Sequence, residues 1–315
     1  MANKTIDVIK NRKIFFAIPI IIAVITIITA LILGVPVAIE FKGGTLLTYS
    51  HTGEIDTNQV KSVVEQHGVG TVVVTTGSSF NSDLETVSVS FTSNSGVTAD
   101  IQYEISKALS EAFPDNNLEI VNSQDVDPSS GTSFFLKCLV AVLFSFVLLV
   151  IYIAFRFKKI GGWSAGVFAL VALCNDVFMA YATFVFMRFS IDSNFMAVVL
   201  TILGYSINNT IVIYDRIREN RNLYGKKMGL VELVNTSISQ TLRRSINTTI
   251  TTGSAVLIIC IVAYVCGVSS IISFAVPMIV GLVAGTYSSI LLAGPLWVLW
   301  QQHKEKKGVK SKKNA

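Results

Sequence analysis

Hydrophobic residues lie in six long runs separated by polar segments, and this pattern predicts six membrane-spanning helices. The runs cover about residues 14–34, 134–155, 163–187, 194–214, 247–266 and 271–299. Each supplies the roughly 20 apolar residues that a helix needs to cross the hydrocarbon core of a bilayer. The first run carries no charge from Ile14 to Ile39 and is too long for a signal-peptide core, so we interpret it as a retained anchor.

Basic residues are concentrated in alternate segments between the runs, which predicts how the chain is oriented. They lie before the first run and after the second, fourth and sixth, at Lys4, Lys10, Arg12, Lys13, Arg156, Lys158, Lys159, Arg216, Arg218, Arg221, Lys226, Lys227, Arg243, Arg244 and from Lys304 to Lys313. Short loops rich in lysine and arginine stay on the cytoplasmic side of a membrane. We therefore expect both termini to be cytoplasmic and residues 35–133 to be exported.

The composition of residues 35–133 predicts a small folded domain between the first two runs. This segment contains thirteen acidic residues and three lysines. Strands are expected at Thr45–Ser50, Thr71–Thr76, Leu84–Thr92 and Leu118–Val121, and helices at about Asp56–His67 and Thr98–Phe113. The order β-α-β-β-α-β is typical of a ferredoxin-like unit. The predicted fold class is a polytopic α-helical membrane protein with one ferredoxin-like α+β domain between its first two spans.

The chain is predicted to divide into four parts. Residues 1–34 form the cytoplasmic N-terminus and the first span, 35–133 the exported domain, 134–299 the bundle of the other spans, and 300–315 a basic cytoplasmic tail. Apolar residues at helical spacing between basic ends also predict an amphipathic cytoplasmic helix at about residues 222–243, leading into the fifth span.

The composition excludes several classes of protein and site. With 51% hydrophobic and 14% charged residues, the chain is too apolar for a soluble domain, which is about 25% charged. Its net charge of +5 comes from the segments between the spans and does not indicate nucleic-acid binding. The sequence contains no nucleotide-binding loop, nucleophile–base pair or metal-ligand spacing, so it predicts neither an enzyme nor a cofactor or metal site. The three histidines, His51, His67 and His303, are expected to be exposed.

One carboxylate lies near the centre of a predicted span. Asp176 follows Asn175 in the third run, and an aspartate at that depth costs about 2.5–3.5 kcal/mol on insertion scales. Such a residue normally faces a partner or a wet cavity. Two interpretations follow, a role in transport and a role in fixing how the helices pack.

Further polar residues lie in the fourth and fifth spans. Tyr205, Asn208 and Asn209 belong to the fourth, and Arg244 and Thr248 lie at the start of the fifth. Adjacent amides within a span are costly unless helices exchange hydrogen bonds there. Polar stripes on two spans are typical of a hydrated pathway. In the alternative interpretation, the arginine side chain extends from this depth to the lipid headgroups.

Several stretches of the chain carry a resemblance to a known family. They are Glu40-Phe41-Lys42-Gly43-Gly44-Thr45 after the first run, Gly204-Tyr205-Ser206-Ile207-Asn208 with Tyr214-Asp215-Arg216-Ile217-Arg218-Glu219-Asn220 at the fourth, and Asn235-Thr236-Ser237-Ile238 with Gln240-Thr241-Leu242 and Arg244 before the fifth. Together with Asn175-Asp176 in the third run, they resemble motifs of the SecF family. The resemblance covers nearly the whole chain.

This resemblance implies an auxiliary subunit of the Sec translocase in the bacterial cytoplasmic membrane, with a resistance-nodulation-division-type fold. SecF pairs with SecD, here expected as a separate chain, and docks beside the SecYEG channel, with YajC as an optional component. Unfolded exported polypeptides and membrane lipids would be further partners. The family is thought to use the proton gradient, or sodium in some members, to pull polypeptides forward. Two alternatives stay open, half of a small-molecule or lipid exporter of the same superfamily and a translocon scaffold without ion coupling.

The chain departs from the SecF pattern in the fourth span. Asn209 stands where the family usually has an ionisable aspartate, its proposed ion carrier, whereas the partnering arginine maps to Arg244. Asn175 likewise replaces a histidine, which leaves Asp176 as the acid deep in a span. Three possibilities remain: SecD carries the ion while this half is passive, Asp176 has taken over the role, or the complex is uncoupled. We favour the first.

Overall fold

The computed structural model describes residues 7–67, 70, 72–78, 85–91, 99–266 and 268–313. Its elements follow in chain order as α1 (Arg12–Leu33), α2 (Ile39–Lys42), β1 (Gly44–His51), α3 (Thr57–Glu65), β2 (Val72–Ser78), β3 (Glu85–Phe91), α4 (Ala99–Ala112), β4 (Glu119–Val126), α5 (Pro128–Arg156), α6 (Gly162–Met187), α7 (Ser193–Tyr224), α8 (Leu230–Val265), α9 (Ser269–Ser288) and α10 (Gly294–Lys313). Among these described residues, six segments are long and apolar enough to span a membrane, namely α1, α5, α6, α7, α8 and the α9–α10 pair. The predicted number of spans is confirmed.

Aspartates cap the first turns of two spanning helices. Asp127 precedes α5, and its Oδ1 accepts a hydrogen bond from the backbone N–H of Ser129 at 2.8 Å. The hydrogen bonds from Ser129 hold the pKa of Asp127 below its ordinary value. Asp192 caps α7 in the same way through the N–H of Phe195 at 3.1 Å, and burial raises its pKa. These caps satisfy N–H groups that would otherwise have no partner at the start of each span.

The sixth span is interrupted by a π-helical turn. Residues Ser289–Ala293 form this turn between α9 and α10. Ser288 and Ser289 are fully buried where it begins. A π turn rotates the following residues relative to a regular helix, and such turns frequently occur at functional sites.

The four strands form one antiparallel sheet with the order β2-β3-β1-β4. Thr45 of β1 pairs with Phe91 of β3 on one side and with Asp125 of β4 on the other. Apolar residues from alternate strand positions and from one stripe of each helix pack together as the domain core. This core comprises Leu47, Tyr49, Val60, Val64, Val72, Val87, Val89, Phe91, Ile105, Leu109 and Phe113. A small sheet domain after the first span is therefore confirmed.

Several predicted boundaries of this domain differ from the observed ones. The last strand continues to Val126 instead of ending at Val121, because its pairing with β1 extends to Gly44. Other predicted ends lie outside the described residues, and these ends are Thr71, Leu84, Thr92 and Thr98.

The amphipathic helix predicted at residues 222–243 differs in its bounds from the observed helices. α7 continues to Tyr224, and α8 runs from Leu230 into the fifth span without a break. Leu233 and Ile238 are buried in the core of the bundle instead of lying against a membrane surface. The periodicity identified an apolar helix face, but packing within the chain covers that face.

His51 is also buried, contrary to the expectation of exposed histidines. It ends β1 and pairs across the sheet with Glu85. Its exposed fraction is 2%, and its Nδ1 lies 3.0 Å from the carbonyl oxygen of Gly53. The chain after the strand folds back onto the imidazole ring of His51. The charge pattern along the sequence does not reveal this burial.

The largest core lies in the bundle between α6, α7 and the α9–α10 span. Phe157, Tyr214 and Trp297 are fully buried there. The Tyr214 hydroxyl donates a hydrogen bond to the carbonyl oxygen of Ala165 at 3.2 Å. By contrast, α1, α5 and α8 expose most of their large apolar side chains. Exposed apolar area of this extent suits contact with lipid or with another membrane protein.

Candidate functional site

Asp176 lies where three helices of the bundle meet. It is fully buried on α6, and its Oδ2 accepts hydrogen bonds from the hydroxyls of Ser206 on α7 at 2.5 Å and Ser288 on α9 at 2.8 Å. Its Oδ1 accepts a further hydrogen bond from Nδ2 of Asn175 at 3.2 Å. Within the described part of the chain, no ion pair involves Asp176. The carboxyl group therefore joins α6, α7 and α9 through neutral donors.

A second polar cluster connects α7, α8 and α9. Asn209 is buried, and its Nδ2 donates a hydrogen bond to Oγ1 of Thr286 at 3.3 Å. Thr286 is also hydrogen-bonded to Thr249 of α8. The Tyr205 hydroxyl donates to Oγ1 of Thr249 at 3.0 Å. The amide at position 209 thus supplies a donor that an ionised carboxylate would lack.

Two glycines allow α9 to approach α7 closely enough for these contacts. A Cβ on Gly285 would lie 2.9 Å from Cβ of Ser206, and one on Gly281 would lie 2.0 Å from Cδ1 of Ile202. Ser289, the first residue of the π turn, donates a hydrogen bond to the carbonyl oxygen of Ser206 at 3.3 Å. The glycine pair and the polar contacts are therefore parts of one helix–helix interface.

Other residues predicted for a polar pathway face away from this interior. Asn208 and Arg244 are exposed, and neither side chain has a hydrogen-bond or ion-pair partner among the described residues. Thr248 is half-buried and donates to the backbone carbonyl oxygen of Arg244 at 2.9 Å. Gly204 is also exposed, and a Cβ placed on it would meet nothing within 4 Å. The structure thus separates the predicted residues into an interior set and an exterior set.

The end of the fourth-span motif forms a charged network. Asp215 accepts a hydrogen bond from Arg156 at 3.1 Å and forms an ion pair with Arg218 at 2.7 Å. The Nε of Arg216 donates to Oε1 of Gln240 at 2.6 Å. These contacts tie α7 to the end of α5 and to the start of α8. Asp215 and Arg216 therefore hold the helix ends together at one side of the bundle.

The motif that follows α1 joins the sheet domain to the bundle. Gly43 has φ +81° and ψ 160°, a backbone region that is essentially restricted to glycine. A Cβ on Gly43 would lie 2.4 Å from Cα of Pro128, and one on Gly131 would lie 2.8 Å from the backbone nitrogen of Gly43. Phe41 packs against two phenylalanine rings of α5 at centroid distances of 5.4 and 5.6 Å. Gly44 follows directly as the first residue of β1.

Further hydrogen bonds fix both sides of this junction. Thr45 is buried, and its Oγ1 donates to Oδ1 of Asp125 on β4 at 2.7 Å. Glu40 accepts a hydrogen bond from the backbone N–H of Ser193 at the start of α7, at 3.0 Å. Arg188 donates to two carbonyl oxygens at the end of α1, at 2.7 and 3.0 Å. The junction therefore connects the domain to α1, α5 and α7.

The polar side of the sixth span was not predicted from the sequence. Thr286 and Ser288 bind Asn209 and Asp176, and Ser289 binds the backbone of α7. The available signal was a row of four hydroxyl-bearing residues from Thr286 to Ser289 inside an apolar run. Its meaning depends on which helix lies opposite, and periodicity does not specify that helix.

The groups in the interior site are one carboxyl, several hydroxyls and two amides. Asp176 can bind and release a proton, whereas serine, threonine and asparagine side chains can only exchange hydrogen bonds at ordinary pH. In the part of the chain that the structure describes, no three His, Cys, Asp or Glu side chains lie close enough to hold a metal ion.

Comparison of sequences reveals relatives along almost the whole chain. Residues 105–303 match the family described as "Protein export membrane protein SecD/SecF, C-terminal". The chain is 35% identical to the protein translocase subunit SecF of Alicyclobacillus acidocaldarius, over 98% of this chain and 97% of that protein. It is 33% identical to the SecF subunit of Acidaminococcus fermentans, over 95% of this chain and 98% of that protein.

Two of the solved structures with a similar fold are structures of SecDF. SecDF from Thermus thermophilus, a translocon-associated membrane protein, superposes with a TM-score of 0.79 and 27% identity over 96% of this chain. SecDF in the super-membrane-facing form superposes with a TM-score of 0.69 and 27% identity over 98% of this chain. In both cases the chain spans 40% of the length of the SecDF chain.

Proposed function

The chain belongs to the SecF family of protein translocase subunits, and we propose that it works with SecD to assist the export of polypeptides across the bacterial cytoplasmic membrane. The observation that carries this proposal is the match to SecF proteins over nearly the full length of both chains. Such a match includes the six spans, the inserted domain and the junction between them. It therefore supports a shared role more strongly than a likeness in one domain would.

The main partner in this proposal is SecD, present as a separate chain. This chain corresponds to 40% of each SecDF protein that it resembles, and we assign part of the remainder to SecD. The exterior polar residues support this assignment, because Asn208 and Arg244 lack partners within the described residues and would be costly against lipid. Helices of SecD placed against α7 and α8 would supply those partners.

In the proposed arrangement the sheet domain is exported and both termini are cytoplasmic. The order of strands and the two helices packed on the sheet support a ferredoxin-like fold for the domain. The backbones at Gly43 and Gly131 are in close contact, so a displacement of the bundle would also displace the domain. The domain would act on the emerging polypeptide, while the bundle docks beside the SecYEG channel, with YajC as an optional component.

We also assign the ion-carrying role to SecD instead of to this chain. Asn209 cannot be titrated and is engaged as a donor to Thr286. Asp176 is held by neutral donors on three helices, as expected for a residue that fixes packing. One charge crossing a potential of about 150 mV yields roughly 3.5 kcal/mol. A proton or sodium ion carried by SecD would therefore supply enough energy to move this half with its partner.

Photocrosslinking in native membranes tests the partnership. A photoreactive amino acid at Asn208 should crosslink efficiently to a SecD chain, because the side chain at this position is exposed on α7. The same amino acid at Val140, an exposed apolar position on α5, reports the background from the lipid phase. Equal yields at both positions, together with unimpaired precursor export after gene deletion, would contradict the proposal.

The deletion strain also distinguishes the alternatives. Accumulation of secreted precursors is expected if the chain assists protein export. Accumulation of a small molecule or lipid without precursors would favour an exporter of the same superfamily. Ion flux through vesicles that contain SecD and this chain separates a coupled complex from a passive scaffold, because only the coupled complex conducts in response to a membrane potential.

A further inference from the structure

A cavity of about 690 Å³ lies at one end of the bundle, where α5, α6 and α10 meet. Aromatic side chains form part of its lining, and four cationic side chains share it, namely Lys158, Lys159, Arg221 and Lys304. We propose that this basic cavity binds the headgroup of an anionic phospholipid. The proposal concerns how the bundle is held in its membrane, and it goes beyond the proposed role in export.

The four cations of the basic cavity have no acidic partner among the described residues. The two acids of the fourth-span motif are already paired, Asp215 with Arg156 and Arg218, and Glu219 with Arg216. Lys158 lies 4.7 Å from the ring centroid of Phe155, a contact that leaves its charge uncompensated. Four like charges around one cavity repel each other, so a bound anion would be favoured.

The wall of the cavity is fixed by contacts between helices. The Oγ of Ser164 on α6 accepts hydrogen bonds from Nε1 of Trp297 at 3.2 Å and from Nε2 of Gln301 at 3.1 Å, both on α10. A Cβ on Gly162 would lie 2.1 Å from the carbonyl oxygen of Ala154, which shows how closely α5 and α6 pack. The hairpin between these helices holds its two lysines at the cavity. The site is therefore formed by the fold itself.

The position of the cavity favours a lipid over a soluble anion. Phe155, Trp163 and Val167 are exposed apolar residues on spanning helices, where they would contact acyl chains. Lys158 and Lys159 lie between α5 and α6, and Arg221 lies in the last turn of α7. Lys304 follows the apolar part of α10. These are positions from which lysine and arginine reach the headgroup layer. Basic pockets between spanning helices are suited to anionic headgroups. A phospholipid would contact both the apolar and the cationic part of the lining, whereas free phosphate would contact only the second.

Tryptophan fluorescence can report directly on this cavity. The chain has three tryptophans; Trp163 and Trp300 line the cavity, and Trp297 lies against its wall. The full chain would be reconstituted in phosphatidylcholine vesicles that contain increasing fractions of brominated phosphatidylglycerol or brominated phosphatidylcholine. Brominated phosphatidylglycerol should quench the emission at a several-fold lower mole fraction. Equal quenching by the two lipids would overturn the proposal.

A matched pair of double variants tests the role of the cations. Lys159→Gln with Lys304→Gln should reduce the preference for phosphatidylglycerol by up to about fivefold per lysine, since each basic group near an anionic surface contributes about 1 kcal/mol. Lys10→Gln with Lys13→Gln removes the same charge near α1 but outside the cavity, and should retain the preference. Equal preferences in the two double variants would overturn the proposal.

Inorganic phosphate distinguishes the two sources of the anion. Millimolar phosphate should leave quenching by brominated phosphatidylglycerol unchanged, because it lacks contacts with the aromatic wall. Displacement of the brominated lipid would assign the cavity to a soluble phosphate compound and overturn the lipid assignment. Equal emission maxima of all variants in pure phosphatidylcholine would verify that the substitutions preserve the fold.

Discussion

The substitution Gly43→Ala is expected to destabilise the junction between the sheet domain and the bundle. The backbone of Gly43 has φ +81° and ψ 160°, and holding a residue with a Cβ in this region costs about 1–3 kcal/mol. The new Cβ would also lie 2.4 Å from Cα of Pro128. Because the contacted atom belongs to the backbone, it cannot rotate away, and overpacking adds about 1–3 kcal/mol. The expected total is therefore about 2–6 kcal/mol.

Gly34 offers a control that isolates the steric part of this effect. Its φ of +66° and ψ of 170° place it in the same backbone region, but a Cβ on it would meet nothing within 4 Å. Gly34→Ala should therefore show only the conformational cost. Thermal unfolding of the detergent-solubilised protein and limited proteolysis beside β1 would compare the two variants. Equal stability and equal cleavage rates would refute the argument that contact with Pro128 holds the domain in place.

Four further substitutions test the interior site, the cap of α5 and a hydrogen bond within the sheet domain. Asp176→Asn should preserve export and its dependence on membrane potential; loss of that dependence would assign the ion-carrying role to Asp176. Asn209→Asp should also leave export and its dependence on membrane potential unchanged, since we expect position 209 to be structural. For both variants the measurement is precursor accumulation with and without an uncoupler. Asp127 has a lowered pKa in the folded protein. Its stabilising effect is therefore present above the ordinary aspartate pKa and is lost as the pH falls through the pKa of the folded state. Asp127→Asn should abolish this pH dependence, as measured by hydrogen exchange at the start of α5. Thr45→Val removes a hydrogen bond of 2.7 Å and should lower the free energy of unfolding by about 1 kcal/mol, as measured by chemical denaturation.

The spans and the sheet domain could be predicted because each produces a local pattern. Runs of apolar residues identify spanning helices, and alternation or helical spacing identifies strands and helices in the domain. The packing of the first part of α8, from Leu230 onwards, could not be predicted for a different reason. Its apolar stripe, including Leu233 and Ile238, packs on the bundle core. The same stripe would look identical in the sequence if it lay on a membrane surface, so only the tertiary contacts distinguish the two.

The interior site was predictable in part. The cost of burying Asp176 identified it as a residue that needs partners, but two of those partners, Ser206 and Ser288, lie on other helices. Asn208 and Asn209 differ by about 100° around the helix axis, so their side chains face different sides of α7. Helical periodicity could not determine which of the two sides faces inwards. The rotation of α7 against α9 decides it, and Gly281 helps to set how closely these helices approach.

This division between adjacent amides bears on where an ion could cross the membrane. The interior side, with Asn209 and Asp176, is closed by hydrogen bonds among α6, α7, α8 and α9. The exterior side, with Asn208 and Arg244, presents polar groups without partners in the described residues. An ion that passed through the interior would have to break several hydrogen bonds in a low-dielectric core. An ion that passed between two chains would instead contact polar groups that have no partner among the described residues. We therefore expect ions to pass along the interface with SecD, where Arg244 would face a carboxylate of the partner.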